Sequence, residues 1–274
     1  MSVSVDRFSA GSRFYLLTHL HSDHTPGLHS QWAHGRLLVS RPTSQLLQWR
    51  WPALAHDTVP FWSWVRLTRS LRVACVPVDA HCWGACWWLV DHRGRITLHM
   101  GDYRFLAWSS FARHPFWESV PSLTYGSLDT TVQQAIIPSW HQNWRDLEEL
   151  VARRPRAVIL HTAGLDLWLA HYCRRYHRRW YLDLHTKHKP EMHVVLQAVA
   201  PEWEAATPEE ADVIGVARGA QGRDVVLPSY QWFALHPHSP HSLWCGYAHR
   251  LCVSLHASPR ENQRILAWLA SRWG

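Results

Sequence analysis

The stretch Thr18-His19-Leu20-His21-Ser22-Asp23-His24 places three histidines and one aspartate within six residues. It follows the apolar run of residues 14–17, which predicts a buried strand, and it precedes the turn-forming pair Pro26-Gly27. Imidazole nitrogen and carboxylate oxygen are the ligands that divalent ions such as zinc prefer. Because buried imidazoles and carboxylates are costly without partners, packing alone explains this array poorly. The stretch therefore predicts a strand that ends in a metal-binding loop.

Composition predicts a globular, basic protein around this loop. The chain has 274 residues, of which 47% are hydrophobic and 18% charged, as expected for one large or two smaller domains. The formal net charge of +7 favours a polyanionic partner such as nucleic acid. A solvated basic surface is the alternative explanation, and charge alone leaves both open.

Cysteine usage and apolar runs indicate the compartment. The six cysteines form no C-x-x-C pair, and a chain of this length needs no disulfides to fold, so we expect free thiols in a reducing compartment. The first seven residues lack the apolar core of a signal peptide. No apolar run approaches the roughly 20 residues that a membrane helix needs, so we expect no membrane segment.

Hydrophobic patterning predicts strands and short helices in the first half and an α/β unit in the second. Strands are predicted at 36–40 and 73–78, a helix from Pro42, and a hairpin over 87–100. Further along, the predicted elements are a helix at 144–154, strands at 157–160 and 180–184 with a helix at 165–179 between them, and a last helix at 259–273. Strand–helix–strand alternation implies parallel pairing. We therefore expect three segments: 1–131, an inserted unit at 132–224, and 225–274.

Four further ligand-type residues each follow a predicted strand. They are His81, Asp102, Asp129 and His256. An aspartate after a strand is more often a turn or helix-cap residue, so each of these is weak when taken alone. Their regular placement after strands, together with the first motif, is what makes them candidates.

These segments resemble those of the metallo-β-lactamase fold in its nucleic-acid branch, the β-CASP nucleases, and within it the DNA cross-link repair nucleases. The matching segments are the strand and metal loop that end at His24, Asp79-Ala80-His81-Cys82-Trp83-Gly84, Gly101-Asp102-Tyr103-Arg104, Leu128-Asp129-Thr130-Thr131 and Ser254-Leu255-His256-Ala257-Ser258. Trp83 stands where the family usually has proline. The resemblance implies an α/β fold, namely a metallo-β-lactamase αββα sandwich with an inserted β-CASP α/β domain.

The resemblance also implies a metal centre with one or two divalent ions, zinc above all. His19, His21 and His81 would hold one ion, Asp23, His24 and His256 a second, and Asp102 would bridge the two. The implied chemistry is phosphodiester hydrolysis by a metal-bound hydroxide, with Asp23, Asp102 and Asp129 as the catalytic carboxylates.

For the substrate, the resemblance implies a 5′-to-3′ DNA exonuclease in DNA repair or chromosome-end processing, monomeric and nuclear. The implied substrate-binding residues are Thr130, Thr131, Thr162, Gly164, His185 and Lys187. Leu165 stands where the family usually carries a lysine that helps to bind a 5′-phosphate. The alternatives that stay open are RNA or a small molecule as the substrate, internal cleavage, a catalytically silent nucleic-acid-binding subunit, and a mitochondrial location.

Overall fold

The computed structural model describes residues 2–79, 81–105, 107–125, 257 and 259–274, together with short segments at 157–159, 180–182, 194–195, 197–198 and 213–216. The chain divides into two compact units. The first comprises Met1–Thr130 and His256–Gly274, and the second comprises Thr131–Leu255.

A parallel four-stranded sheet carries the histidine-rich loop. Its strands, in spatial order, are β1 (Val3–Val5), β2 (Phe14–Leu16), β3 (Arg36–Ser40) and β4 (Asp57–Val59). All three residues of β2 are buried, as expected for an apolar strand inside a parallel sheet. Helix α1 (Arg41–Arg50) follows β3 directly, because the Ser40 side chain caps its N-terminus and Pro42 occupies its first turn.

A five-stranded sheet forms the second layer of the first unit. Its strands, in spatial order, are β5 (Ser63–Thr68), β6 (Leu71–Pro77), β7 (Cys86–His92), β8 (Arg95–His99) and β9 (Thr124–Tyr125). Neighbours are antiparallel except for the parallel pair β8–β9. Arg93 and Gly94 have φ values of 57° and 83°, which suits a two-residue hairpin turn. The predicted hairpin is thus confirmed.

The two sheets pack face to face, and helices cover the outside. Phe14, Leu16 and Leu38 of the first sheet share one core cluster with Val73 and Trp88 of the second. The opposite face of the five-stranded sheet packs against helix α2 (Trp108–Ala112), a 3₁₀ turn (Pro115–Ser119) and helix α3 (Pro259–Trp273). Helix α1 contacts β3 and β4. These layers form the αββα sandwich that the resemblance implies.

Aromatic side chains fill much of the core between the five-stranded sheet and α3. Trp117 is fully buried and its ring lies 5.3 Å from that of Phe111, 5.0 Å from that of Trp268 and 5.8 Å from that of Trp273. Trp87, also fully buried, makes an edge-on contact with Tyr103. Some of the 19 tryptophans of the chain therefore have a packing role, since each such ring removes a large apolar area from water.

In the second unit, three described strands form a parallel sheet. They are β10 (Ala157–Ile159), β11 (Trp180–Leu182) and β12 (Val213–Val216), in the spatial order β10-β12-β11. The strands predicted at 157–160 and 180–184 and their parallel arrangement are confirmed within these residues, while the predicted helices at 144–154 and 165–179 lie outside the described part of the chain. Among the helices that are described, none is long and apolar enough to cross a bilayer.

Candidate metal centre

The histidine-rich loop is anchored between the two sheets at the end of β2. The Leu17 amide donates to the Leu38 carbonyl of β3 at 3.2 Å, and the Leu17 carbonyl accepts from the Trp88 indole at 2.9 Å. The Thr18 carbonyl then accepts from the Cys86 amide at 3.0 Å. With the strand end bonded on both sides, His19 enters the interior and is fully buried.

A tight turn places the other ligands of this loop beside His19. The His24 amide donates to the His21 carbonyl at 3.1 Å, which brings the chain back toward its starting point. The ring of His19 lies 4.6 Å from that of His21 and 4.1 Å from that of His24. From α1, the Arg50 guanidinium donates to the Leu20 carbonyl at 3.0 Å and so holds the loop between its first two histidines.

His81 is presented by the loop that joins β6 to β7. The Val78 amide donates to the Ala85 carbonyl at 2.8 Å, closing the loop at its base. The Gly84 carbonyl accepts from the Ser40 hydroxyl at 2.7 Å and from the Thr43 hydroxyl at 3.1 Å, so the start of α1 fixes the loop. His81 is fully buried, with its ring 4.5 Å from that of His19.

Asp102 follows β8 and enters the same cluster. Gly101 directly before it has a φ of 60°, a conformation that glycine adopts without strain, and it lies against Thr18. The next residue, Tyr103, donates from its hydroxyl to Asn262 Oδ1 of α3 at 2.7 Å, a bond between two buried side chains. The C-terminal helix therefore helps to fix the strand end that carries Asp102.

The ligand-type side chains assemble into two groups that share Asp102. Within each group, the potential ligand atoms all lie within 4.8 Å of one another. The first group is His19, His21, His81 and Asp102, and the second is Asp23, His24 and Asp102. Asp102 Oδ2 lies 3.9 Å from Nε2 of both His19 and His81, and 3.4 Å from Nε2 of His24.

The donor chemistry of these groups fits a divalent cation. Zinc–nitrogen and zinc–oxygen bonds of about 2.0–2.2 Å in a tetrahedron separate neighbouring ligand atoms by roughly 3.3–3.6 Å. The distances from Asp102 Oδ2 to the three histidine Nε2 atoms, 3.4 to 3.9 Å, are within a few tenths of an ångström of that value. The first group is rich in imidazole, with His19 and His81 buried and His21 and Asp102 half-buried. Asp23, whose side chain is 59% exposed, is the most exposed ligand-type residue of the two groups.

A further residue, Asp6, organises the cluster from behind, and sequence reasoning missed this role. Its Oδ1 accepts from the Thr18 amide at 2.8 Å, and its Oδ2 accepts from the Thr18 hydroxyl at 2.6 Å and from His24 Nδ1 at 2.8 Å. The Thr18 hydroxyl in turn lies 3.0 Å from His19 Nδ1 and can accept from it. These bonds favour Nδ1 protonation on both rings and leave Nε2 to face a cation.

The carboxylates around His24 control its protonation. Burial lowers the pKa of His24, but the hydrogen bonds and negative charges of Asp102 and Asp6 outweigh it and raise the pKa to about 10. The imidazole is therefore cationic at neutral pH when carboxylates alone surround it. A cation that binds through Nε2 must displace that proton, so metal binding here releases protons and strengthens as the pH rises.

We expect Asp6→Asn to weaken zinc binding by roughly 10–100-fold, the usual cost of losing a partner that orients a metal ligand. The NH2 group that replaces one carboxylate oxygen cannot accept a hydrogen bond, so at least one of the bonds from Thr18 and His24 is lost. Competition with a chromophoric chelator measures the affinity. Asp57→Asn is the matched control, because among the described residues the exposed Asp57 side chain pairs with Arg36 alone, 2.9 Å away. Equal zinc affinity in the two variants would contradict this role for Asp6.

Not all of the predicted site residues lie in the described part of the chain. The structure brings together His19, His21, Asp23, His24, His81 and Asp102. Outside the described residues are Asp129, Thr130, Thr131, Thr162, Gly164, His185, Lys187 and His256. The sequence does contain a signal for Asp6, because this carboxylate directly follows the strand Val3–Val5. The sequence does not show that the Asp6 side chain contacts Thr18 and His24.

Comparison with known proteins gives matches in sequence over part of the chain. The chain is 35% identical over 98 residues to DNA cross-link repair protein SNM1 of Arabidopsis thaliana, covering 34% of this chain and 20% of that protein. It is 28% identical over 163 residues to 5′ exonuclease Apollo of Danio rerio, covering 54% of this chain and 27% of that protein. Over these stretches the chain is similar in sequence to a DNA cross-link repair protein and to a 5′ exonuclease, and it spans about a fifth to a quarter of their length.

No protein-family model matches the chain. Among solved structures, a protein of unknown function from Enterococcus faecalis V583 superposes with a TM-score of 0.55 at 15% identity, over 93% of this chain and 73% of that one. This likeness concerns the fold alone, and it agrees with the α/β architecture described above. The similarity to DNA cross-link repair proteins and 5′ exonucleases therefore rests on the sequence matches alone.

Proposed function

We propose that this protein is a metal-dependent nuclease that hydrolyses DNA phosphodiester bonds from the 5′ end. The observation that carries the proposal is Asp102, a single carboxylate that belongs to both candidate ligand groups. Two cation sites that share a ligand suit in-line displacement at phosphorus. Relatives with the names DNA cross-link repair protein and 5′ exonuclease support the same reaction.

The ligand assignment follows the two groups. His19, His21 and His81 would hold one cation, and Asp23 and His24 the other together with His256, while Asp102 would contact both. When bound, zinc or another divalent cation would supply Lewis-acid stabilisation of phosphate charge and would activate water for attack. Asp129 is proposed to orient a ligand or hold a proton near the cations.

The residues of the chain position these groups and expose one side of them. Burial of His19 and His81 excludes water from the back of the cluster, and Asp6 keeps a proton on His24 Nδ1. The exposed Asp23 marks the side from which a phosphodiester enters. A net charge of +7 favours a polyanionic substrate over a small neutral one.

The finer assignments rest on the resemblance and the relatives. We propose zinc as the cation, DNA repair or chromosome-end processing as the process, the nucleus as the location and a monomer as the active form. Thr130, Thr131, Thr162, Gly164, His185 and Lys187 are the proposed substrate contacts. Because Leu165 replaces the usual lysine, we expect only a weak preference for a 5′-phosphate.

A panel of labelled substrates tests this function. Zinc-loaded protein is expected to shorten single-stranded DNA from its 5′ end, to lose activity with a chelator, and to regain it with added zinc. Asp23→Ala is expected to lower the rate by about 10²-fold or more, since it removes a cation ligand at the substrate side. The panel contains DNA and RNA, each with a 5′-phosphate or a 5′-hydroxyl.

Each result of the panel has a defined meaning. Cleavage of RNA in preference to DNA would overturn the substrate assignment and favour an RNA-processing enzyme. Full metal occupancy without cleavage of either polymer would contradict the enzyme assignment and favour a silent binding subunit. Asp57→Asn serves as the control for loss of a carboxylate on the surface, and it is expected to retain activity.

A further inference from the structure

A groove of about 230 Å³ lies at the hairpin end of the five-stranded sheet, and four arginines line it. They are Arg66, Arg69, Arg72 and Arg93, and the groove contains one acidic residue, Asp91. Four guanidinium charges against one carboxylate leave a local net charge of +3. Arginine is the residue best suited to planar, two-point contacts with phosphate, so the lining predicts a phosphate-bearing ligand.

One arginine of this groove is held in place by its neighbours. Arg72 Nε lies 2.6 Å from Asp91 Oδ2, and its guanidinium lies 4.3 Å from the centre of the Trp64 ring. Asp91 also accepts from the Gly94 amide at 2.8 Å, so its two oxygens are engaged. The only carboxylate of the groove therefore orients Arg72 and the hairpin turn, and it is not available to neutralise the other arginines.

The other three arginines are exposed and have no carboxylate partner among the described residues. Arg66 and Arg69 come from the β5–β6 hairpin, and Arg93 comes from the β7–β8 turn. The Arg93 amide donates to the Ser70 carbonyl at 3.0 Å, which joins the two turns. Three like charges are thereby kept close together by the backbone, an arrangement that an anion would stabilise.

This groove lies far from the candidate metal centre. It sits at the start of β6, whereas His81 follows the other end of that strand. The six steps between its seven residues, at about 3.3 Å each, make the strand roughly 20 Å long. A phosphate in the groove is therefore not the one that reacts, although a long nucleic-acid strand could reach both places.

We propose that the arginine groove binds the phosphodiester backbone of a nucleic acid at a distance from the site of cleavage. The proposal rests on the proposed function, since it assumes a nucleic-acid substrate. Backbone contacts of this kind raise affinity for every sequence and weaken as salt increases. The groove would therefore retain a long strand on the protein between successive cleavage steps.

The test compares two triple variants with the same change in charge. Arg66→Gln/Arg69→Gln/Arg93→Gln removes the exposed arginines of the groove. Arg260→Gln/Arg264→Gln/Arg272→Gln removes three exposed arginines of α3. Fluorescence anisotropy measures the affinity of the 274-residue chain for a long labelled single strand over a range of salt concentrations. A labelled trinucleotide, too short to span the roughly 20 Å between the two sites, reports cleavage alone.

We expect the groove variant to bind the long strand about 10-fold more weakly than the α3 variant. The slope of the logarithm of its binding constant against the logarithm of the salt concentration should become less steep by about 2. Each of the three lost phosphate contacts on a single strand contributes about 0.7 to this slope. Trinucleotide cleavage should be unchanged. Equal affinities and slopes for the two variants would overturn the groove proposal while leaving the nuclease intact.

A second measurement, with inorganic phosphate, distinguishes binding of free phosphate in the groove from binding of a nucleic-acid backbone. If phosphate raises the melting temperature of the wild type and not of the groove variant, while both bind the long strand equally, the groove takes free phosphate and the nucleic-acid contact is wrong. A wild type that cleaves no nucleic acid would instead remove the proposed function. The failure of the groove proposal and the failure of the nuclease assignment are thus distinguishable.

Discussion

Asp102→Ala is expected to abolish measurable nuclease activity, with a rate loss of about 10³-fold or more. Cation stabilisation of transition-state charge is worth several kcal/mol, and about 4 kcal/mol corresponds to 10³-fold in rate. Asp102 is the only described carboxylate in the first ligand group and also belongs to the second, so its loss affects both. Rate measurements with added zinc, together with metal content by mass spectrometry, determine the effect.

The fold of the Asp102→Ala variant must be measured alongside its activity. Asp102 is 13% exposed and lies among histidines, so its removal also changes the charge balance in the cluster. Circular dichroism and the urea midpoint should show a folded protein whose metal content is reduced. Asp102→Asn keeps the side-chain volume and is expected to give a similar loss of activity. A folded Asp102→Ala protein with full activity would mean that cleavage takes place elsewhere on the chain.

Gly101→Ala is expected to cause the second largest effect, a loss of stability of about 2–4 kcal/mol with weaker zinc binding. A methyl group at this position would lie 2.8 Å from the Thr18 hydroxyl and 3.0 Å from Thr18 Cβ. The φ of 60° adds a backbone cost of about 1–2 kcal/mol for any residue with a Cβ. Because Thr18 and Asp102 flank the contact, relief of the clash must separate the histidine loop from the shared carboxylate.

Gly94→Ala provides the matched control for this effect. Gly94 has a φ of 83°, yet a methyl group there would meet nothing within 4 Å. Gly94→Ala should therefore lower the free energy of unfolding only by the cost of the positive φ, about 1–2 kcal/mol, and leave the zinc affinity unchanged. Urea denaturation of both variants and a zinc titration measure the two effects. Similar stability and affinity in Gly101→Ala and Gly94→Ala would show that the contact with Thr18 does not hold the site together.

The sequence predicted those elements whose pattern is strong and local. The strand Arg36–Ser40 and the helix Pro259–Trp273 have the bounds that apolar periodicity and a leading proline indicate. The strand Ser63–Thr68 was not predicted. None of its residues is fully buried, so its sequence lacks the apolar alternation that marks a strand with one face in the core. Helix α2, with five residues, is too short to show a helical period.

For the candidate site, the sequence predicted the residue types but not how they are supported. His19 and His21 belong to the histidine-rich array after the first apolar strand, and His81 and Asp102 each follow a predicted strand. The resemblance to the nuclease family then implied that these residues share one metal centre. The roles of Asp6 and Gly101 depend on side chains and backbone that approach Thr18 from two distant segments. Such contacts are set by the packing of the two sheets, which no local pattern records.

The short strand β1 lies at the edge of the four-stranded sheet, and its local unfolding is expected to depend on cation binding. Val3–Val5 pairs only with β2 in the described sheet, and a three-residue strand at an edge is among the first elements to open locally. Asp6 follows it at once, so an opening that extends to Asp6 would break the hydrogen bonds of its carboxylate to Thr18 and His24. By reciprocity, a cation held by those residues resists the opening, and the amino-terminal segment becomes more protected when the centre is filled.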